Sequence, residues 1–433
     1  MAGVPLPGGG RVVVVGGSLG GLRAAESLRS AGFAGRLTVV SEEAWFPYNR
    51  PPLSKEALRS GVEHATLEFR RRESVADVEW RLGSRAVASD LVARTVTLDD
   101  GEVLSWDGLV AATGLRPRRL PVPGPPPQIA AGRYVLRTLD DAVALRERIR
   151  PGTRVVVAGA GFIGCEVAAT ARALSCDVVN VAVDSRPMIR PLGELLAAEL
   201  QRRLAERGLT FRLGVGIECF LGEDRVQGVR LSDGTELPAD VVVEAVGSRC
   251  NTEWLAGNGL DLADGVLADG ALRMLRADGT PVDGAHVVGD LARFPYPVVD
   301  DVPRRIEHWS LPTDTGRRAG PVLAAWLAGE PAAYAEVVAR PFSPVPSFWS
   351  DLFELRLQSF GIPGAGEEAL VLEGELSGPV VVGYLRGGVL VGVVALDATK
   401  QAMPYRARLG EVMRGSGQPG GGHLTDTRPS RGP

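Results

Sequence analysis

A chain of 433 residues, 45% hydrophobic and 23% charged, is too long for one hydrophobic core and calls for two or three globular domains. A net charge of −4 argues against a nucleic-acid binder, and no apolar stretch approaches the roughly 20 residues of a membrane span, so neither kind of partner is expected. The N-terminus lacks the basic, apolar and small-residue regions of a secretory leader, so a cytoplasmic location is expected.

Residues 1–10, with Pro5, Pro7 and three successive glycines, read as a flexible lead-in. From Arg11 the pattern is strand (12–15), helix (22–30), strand (37–40). The first strand and helix are joined by Gly16-Gly-Ser18-Leu-Gly-Gly21. A buried strand, a tight glycine turn and a helix N-terminus place backbone N–H groups where a pyrophosphate can sit. The next strand ends at Ser41-Glu42-Glu43, and an acid about 20 residues past the glycines is where a ribose hydroxyl is held. Further strands are predicted at 78–82, 93–98 and 108–113, followed by a Pro-rich crossover at 116–127.

A predicted helix at 139–150 leads into a second copy of the same unit. Arg154-Val-Val-Val-Ala158 runs into Gly159-Ala-Gly161-Phe-Ile163-Gly164, and a helix follows over 165–173. This copy has all three glycines of the dinucleotide fingerprint, whereas the first has Ser18 in place of the second. A helix is predicted at 193–207 from the spacing of Leu195, Leu196, Leu200 and Leu204, with strands at 226–231 and 241–246. The chain then returns to the first domain through His286-Val-Val-Gly289-Asp290 and a helix at 315–327. After a boundary at 341–346, residues 347–413 read as β-rich, with strands at 369–375, 380–385 and 389–396. A Gly-, Pro- and Ser-rich disordered tail closes the chain.

The fold expected is α/β: two Rossmann-like dinucleotide-binding domains and a small C-terminal α+β domain. The boundaries are 1–118 with 252–331, 119–251, 332–412, and a tail over 413–433. Two dinucleotide sites in one chain imply that electrons pass between their ligands. The four cysteines, Cys165, Cys176, Cys219 and Cys250, form no C-x-x-C pair and no metal-spaced cluster, so they read as reduced thiols and no metal site is expected. Only two of the 48 basic residues are lysines, Lys55 and Lys400, which singles out Lys55 within a motif-rich segment.

These residues carry a resemblance over roughly 11–412. Pro47-Tyr-Asn-Arg50-Pro-Pro-Leu-Ser-Lys55, Ala111-Ala-Thr113-Gly114-Leu-Arg-Pro and Tyr134-Val-Leu-Arg137-Thr-Leu stand in order with the second fingerprint and Glu166. Gly289-Asp290, Arg305-Ile-Glu307-His-Trp309 and Pro346-Ser-Phe-Trp349-Ser-Asp351 follow. Together they resemble the FAD-dependent, NAD(P)H-linked ferredoxin reductases of the putidaredoxin reductase type.

The resemblance implies the cofactors FAD and NADH or NADPH. It implies hydride transfer to the flavin, then single-electron delivery to a small [2Fe–2S] or similar ferredoxin serving a cytochrome P450 or ring-hydroxylating oxygenase. Lys55 would place a cation beside the flavin. Glu166, on the first turn of its helix, would face the nicotinamide and pair with that lysine; an acid there also suits the helix dipole. Trp309 would stack near the isoalloxazine, completing the catalytic set of Lys55, Glu166 and Trp309. Asp290 would contact the ribityl chain and Arg137 the pyrophosphate. Gly16, Ser18, Gly21, Glu42, Glu43, Arg50, Ala86, Thr113, Gly114 and Glu307 complete the FAD set. The NAD(P) set is Gly159, Gly161, Ile163, Gly164, Glu166, Asp184, Arg190 and Gly247.

One departure bears on nucleotide choice. In Asn180-Val-Ala182-Val-Asp184 the acid that in the family binds the 2′-hydroxyl of NAD aligns with Ala182. Asp184 stands two positions on, and Arg186 and Arg190 follow, so relaxed or NADPH-leaning specificity is expected. Partner ferredoxins are acidic, which makes Arg304-Arg305 and Arg317-Arg318 candidate docking patches. The same architecture serves rubredoxin reductases and redox-responsive interaction proteins resembling apoptosis-inducing factor. It also serves NADH oxidases and disulfide reductases, but these need a catalytic cysteine near the lysine helix of the first domain, and none lies between Gly16 and Ala160.

Overall fold

The computed structural model describes residues 9–415, so the expected lead-in (apart from its last two glycines) and nearly all of the tail lie outside the described residues. The chain divides into two compact units: one takes the chain through Asn49, Glu63–Arg116 and Arg249–Pro346, the other Arg50–Val62, Pro117–Ser248 and the residues from Ser347 onward.

Each unit is built on a parallel sheet flanked by helices. In the first, strand Arg11–Val15 pairs in parallel with Arg36–Ser41 on one side and Gly108–Ala111 on the other. Glu79–Leu82 and Pro281–Val287 extend the sheet in parallel at either end, and Arg273–Leu275 adds an antiparallel edge. The four valines of the first strand are buried on both faces, as a central parallel strand requires. Helix Leu19–Ser30 packs on helix Leu311–Ala328. The strands Ala86–Asp90, Thr95–Leu98 and Val103–Ser105 form a separate antiparallel sheet.

The second unit repeats this plan. Strand Arg154–Ala158 lies between Asp177–Ala182 and Val241–Glu244, with Thr210–Leu213 and Arg133–Tyr134 outermost, all parallel. Its helices are Phe162–Ala173 and Ile189–Glu206. The latter starts before the expected 193, but Gly193 at φ 66° breaks it, so the regular helix begins where the leucine spacing placed it. This unit also holds a five-stranded antiparallel sheet in the order Ser347–Leu352, Leu355–Gly361, Val389–Leu396, Val380–Arg386, Glu368–Gly374. The segment expected to stay β-rich to 413 instead closes with the 17-residue helix Thr399–Gly415, packed on that sheet through Ala402, Leu409 and Met413. The first three residues of the expected tail are thus helical.

Candidate functional site

In an open parallel sheet, ligands bind beyond the carboxyl ends of the strands. At that edge of the first unit, Val15 leads into Gly16, Ser41 into Glu42, Ala111 into Thr113 and Gly114, and Val287 into Gly289 and Asp290. Gly16 turns the chain at φ +117°, and a Cβ there would sit 2.2 Å from the Ala112 carbonyl oxygen. A Cβ on Gly21 would fall 1.9 Å from the carbonyl oxygen of Gly16, so this glycine lets the helix close onto the turn. Helix Leu19–Ser30 opens on Ser18, which makes no side-chain cap, and its first turn holds no acid. Its N-terminal N–H groups therefore keep their positive end available to an anion, which fits a dinucleotide pyrophosphate.

The other residues assigned to FAD in this unit have the following surroundings. Glu42 is exposed, whereas the Glu43 carboxylate accepts from the Tyr48 hydroxyl at 2.5 Å. Ala86 opens the separate antiparallel sheet. The Thr113 hydroxyl donates to the Asn251 carbonyl at 2.6 Å and accepts from Trp254 Nε1 at 3.3 Å. Gly289 donates its N–H to the buried Thr315 hydroxyl at 2.8 Å, which pins Asp290 against helix Leu311–Ala328. Arg305 ties two assigned residues together, bonding the Asp290 carbonyl at 3.4 Å and the Glu307 carboxylate at 2.7 Å. The Trp309 indole is 39% exposed and donates to Asn49 Oδ1 at 3.3 Å, so it is a surface ring and not a core tryptophan.

In the second unit Gly159, at φ +103°, and Gly164 repeat the steric logic of the first turn, with virtual Cβ atoms 2.2 Å from the Ala245 oxygen and 2.0 Å from the Gly159 oxygen. Gly161 differs. Its φ is an ordinary −79°, and a Cβ there meets no protein atom within 4 Å. The fold does not need a glycine at this place, and its absence of a side chain leaves the protein backbone open to close approach by a ligand. Helix Phe162–Ala173 again starts without a side-chain cap or an acid in its first turn, and Ile163 is exposed beside it. Gly247 is exposed at the same sheet edge, after strand Val241–Glu244. Arg137 follows strand Arg133–Tyr134, and its carbonyl accepts from Arg50 at 2.6 Å. Of the residues assigned to FAD, Arg50, Lys55 and Arg137 thus belong to this second unit.

Lys55 and Glu166 meet here. Lys55 Nζ lies 2.8 Å from Glu166 Oε1, and the two residues are only 6% and 5% exposed. The expected position of Glu166 is corrected by one turn: the first turn of the helix holds no acid, and the carboxylate is turned to Lys55 and two serines instead of capping the N-terminus. Ser350 Oγ donates to Oε1 at 2.6 Å and Ser54 Oγ to Oε2 at 2.5 Å. The sequence had singled out neither hydroxyl. Ser54 adjoins Lys55 and Ser350 sits in a quoted motif, but nothing in one sequence brings Ser350 to a carboxylate 184 positions away.

Other candidate charges have intramolecular partners. Arg190 pairs with Asp184 at 3.1 Å, and Arg186 is bonded to Glu194 and Gln201. Ala182 is the buried last residue of its strand. Arg304 pairs with Asp300, and Arg305 with Asp264 and Glu307. Arg318 binds the carbonyls of Gly270, Val337, Val338 and Arg340. These three arginines are half-buried and have intramolecular partners, whereas Arg317 is exposed. All four cysteines are free thiols, and burial pushes Cys165, Cys176 and Cys250 above the usual thiol range. Among the described residues no helix is long and apolar enough to cross a membrane, and no group of three or more potential ligands is placed to hold a metal ion.

Comparison with known proteins matches these features to a described family. The profile of the pyridine nucleotide-disulphide oxidoreductases matches residues 10–316, and that of the reductase C-terminal domain matches 347–416. Rhodocoxin reductase from Rhodococcus erythropolis is 34% identical over 406 residues, covering 93% of this chain and 90% of that protein. The ferredoxin reductase component of chlorobenzene dioxygenase from Cupriavidus sp. (strain PS12) is 34% identical over 411 residues, 93% of this chain and 92% of its own length. Among solved structures, the covalent putidaredoxin reductase–putidaredoxin complex superposes with a TM-score of 0.82 at 29% identity, covering 93% of each chain.

Proposed function

This chain belongs to the pyridine nucleotide-disulphide oxidoreductase family, and we infer that it is an FAD-dependent NAD(P)H:ferredoxin oxidoreductase. The observation that carries the reading is the doubled glycine turn, one at the carboxyl edge of each parallel sheet, in a chain whose cysteines are all unpaired. FAD supplies the conversion between a two-electron hydride and single electrons, which nicotinamide does not readily perform. The protein supplies binding and charge. Gly16, Ser18 and Gly21 are assigned to the FAD pyrophosphate through the N-terminus of helix Leu19–Ser30, and Glu42 to its ribose. Asp290, Glu307 and Trp309 are assigned to its flavin end. Gly159, Gly161 and Gly164 are assigned to the pyrophosphate of NAD(P)H. Lys55, held by Glu166, is assigned the cation that offsets negative charge gained on reduction.

The electron acceptor in this reading is a small [2Fe–2S] or similar ferredoxin, which supplies a cytochrome P450 or ring-hydroxylating oxygenase in the cytoplasm. The relatives named above, a rhodocoxin reductase and a dioxygenase reductase component, support that assignment. Nucleotide use is proposed to be relaxed. Ala182 offers no carboxylate to a 2′-hydroxyl, and the Asp184 charge is offset by Arg190, so neither NADH nor NADPH meets a strong repulsive element.

Turnover with NAD(P)H and cytochrome c as final acceptor tests the reading. The expected rate rises and saturates with added [2Fe–2S] ferredoxin and is low without it. A rate indifferent to ferredoxin, with a long-lived reduced-flavin complex and nucleotide-dependent oligomerisation, would instead mark a redox-responsive interaction protein.

A further inference from the structure

A carboxylate offers about four acceptor sites, and the torsion that turns its plane is broad and weakly held. An ammonium on one oxygen does not fix that plane by itself. At Glu166 the two oxygens are each met by a serine: Ser350 at 2.6 Å on Oε1, the oxygen that also holds Lys55, and Ser54 at 2.5 Å on Oε2. Both serines are buried, Ser350 completely. Ser54 is itself anchored, because the Thr170 hydroxyl donates to its carbonyl at 2.8 Å from the helix that carries Glu166. Ser350 comes from strand Ser347–Leu352 of the antiparallel sheet. The ring of Phe348 on the same strand stands edge-on to Phe162, at the start of the Glu166 helix, with centroids 4.7 Å apart.

We propose that Ser54 and Ser350 are positioning residues for the Lys55–Glu166 pair: together they lock the carboxylate plane and thereby the place of the Lys55 ammonium. The proposal rests on the reading that Lys55 acts on the flavin. It gives the C-terminal sheet a part in tuning the redox centre, separate from any contact with an electron acceptor. Without Ser350, Oε1 has only the ammonium to answer its charge, and the pair is free to draw together and turn.

The test is the two-electron midpoint potential of the flavin in the purified holoenzyme, measured by anaerobic titration against reference dyes. Four variants are compared: Ser350→Ala, Ser54→Ala, Lys55→Met and Ser359→Ala. Ser359 is the control, because it is a fully buried serine on the adjacent strand whose hydroxyl has no hydrogen-bond partner among the described residues. Removing a cation disfavours the reduced, more negative flavin, so Lys55→Met is expected to lower the potential. Each Glu166-facing serine variant is expected to lower it too, by a smaller three- to tenfold change in the oxidised-to-reduced equilibrium, where tenfold is about 30 mV for a two-electron couple. Ser359→Ala is expected to leave it unchanged. Using both serines keeps the test decisive if one variant loses its flavin. Serine variants that behave like Ser359→Ala, while Lys55→Met shifts the potential, overturn the positioning role alone. A potential unmoved by Lys55→Met overturns the flavin-side reading of the lysine, and the proposal with it.

Discussion

His286 shows how a single buried group ties this fold to pH. It lies on strand Pro281–Val287, 1% exposed, and neither ring nitrogen finds a hydrogen-bond partner among the described residues. Burial pushes its pKa down to about 3; nearby Asp269 opposes the shift, and Arg273 and Arg318 add to it. An unfolded imidazole titrates near 6.5, so below that pH the unfolded chain binds a proton that the native chain refuses. The contribution of this site is complete above about pH 6.5 and is lost as pH falls toward 3, amounting to about 2 kcal/mol at pH 5. Urea unfolding at pH 7 and pH 5 should show wild type losing about 2 kcal/mol more than His286→Leu over that interval. Equal losses in the two proteins would mean that other groups control the acid response.

At the scale of the element, the second glycine turn separates folding from binding. Gly164 has no room for a side chain, so Gly164→Ala should destabilise by about 1–3 kcal/mol through overpacking. Gly161 has room, so Gly161→Ala should stay within about 1 kcal/mol of wild type yet bind NAD(P)+ more weakly. Thermal unfolding and nucleotide titration of the two variants check the contrast, and equal loss of stability would contradict it. Elements of this kind were readable in advance because buried parallel strands leave runs of valine between a charged start and a glycine end, as in Arg11–Val15 and Arg154–Ala158. Helix Thr399–Gly415 was not, because Pro404 and Gly410 interrupt it and only Ala402, Leu409, Gly410 and Met413 are buried. The serines on Glu166 and the partners of Arg304, Arg305 and Arg318 depend on tertiary contact, and in a chain so rich in arginine no local pattern tells a structural guanidinium from a surface one.

At the scale of the molecule, one strand–turn–helix plan is used twice, each time with an uncapped helix N-terminus at the carboxyl edge of a parallel sheet. In the proposed function the two glycine turns take the two dinucleotides, and the buried lysine–glutamate pair takes the charge gained on reduction. All four cysteines are free, Cys165 and Cys176 are buried, and the sequence contains no C-x-x-C pair. The most direct test is anaerobic mixing of the purified flavin-loaded protein with NADH, and separately with NADPH, while following the oxidised-flavin absorbance. Rapid bleaching by both, with rates within about tenfold of each other (about 1.4 kcal/mol of discrimination), is the result expected from the second turn and from Ala182. Flavin that stays oxidised with either nucleotide would contradict the electron-transferase account at its root.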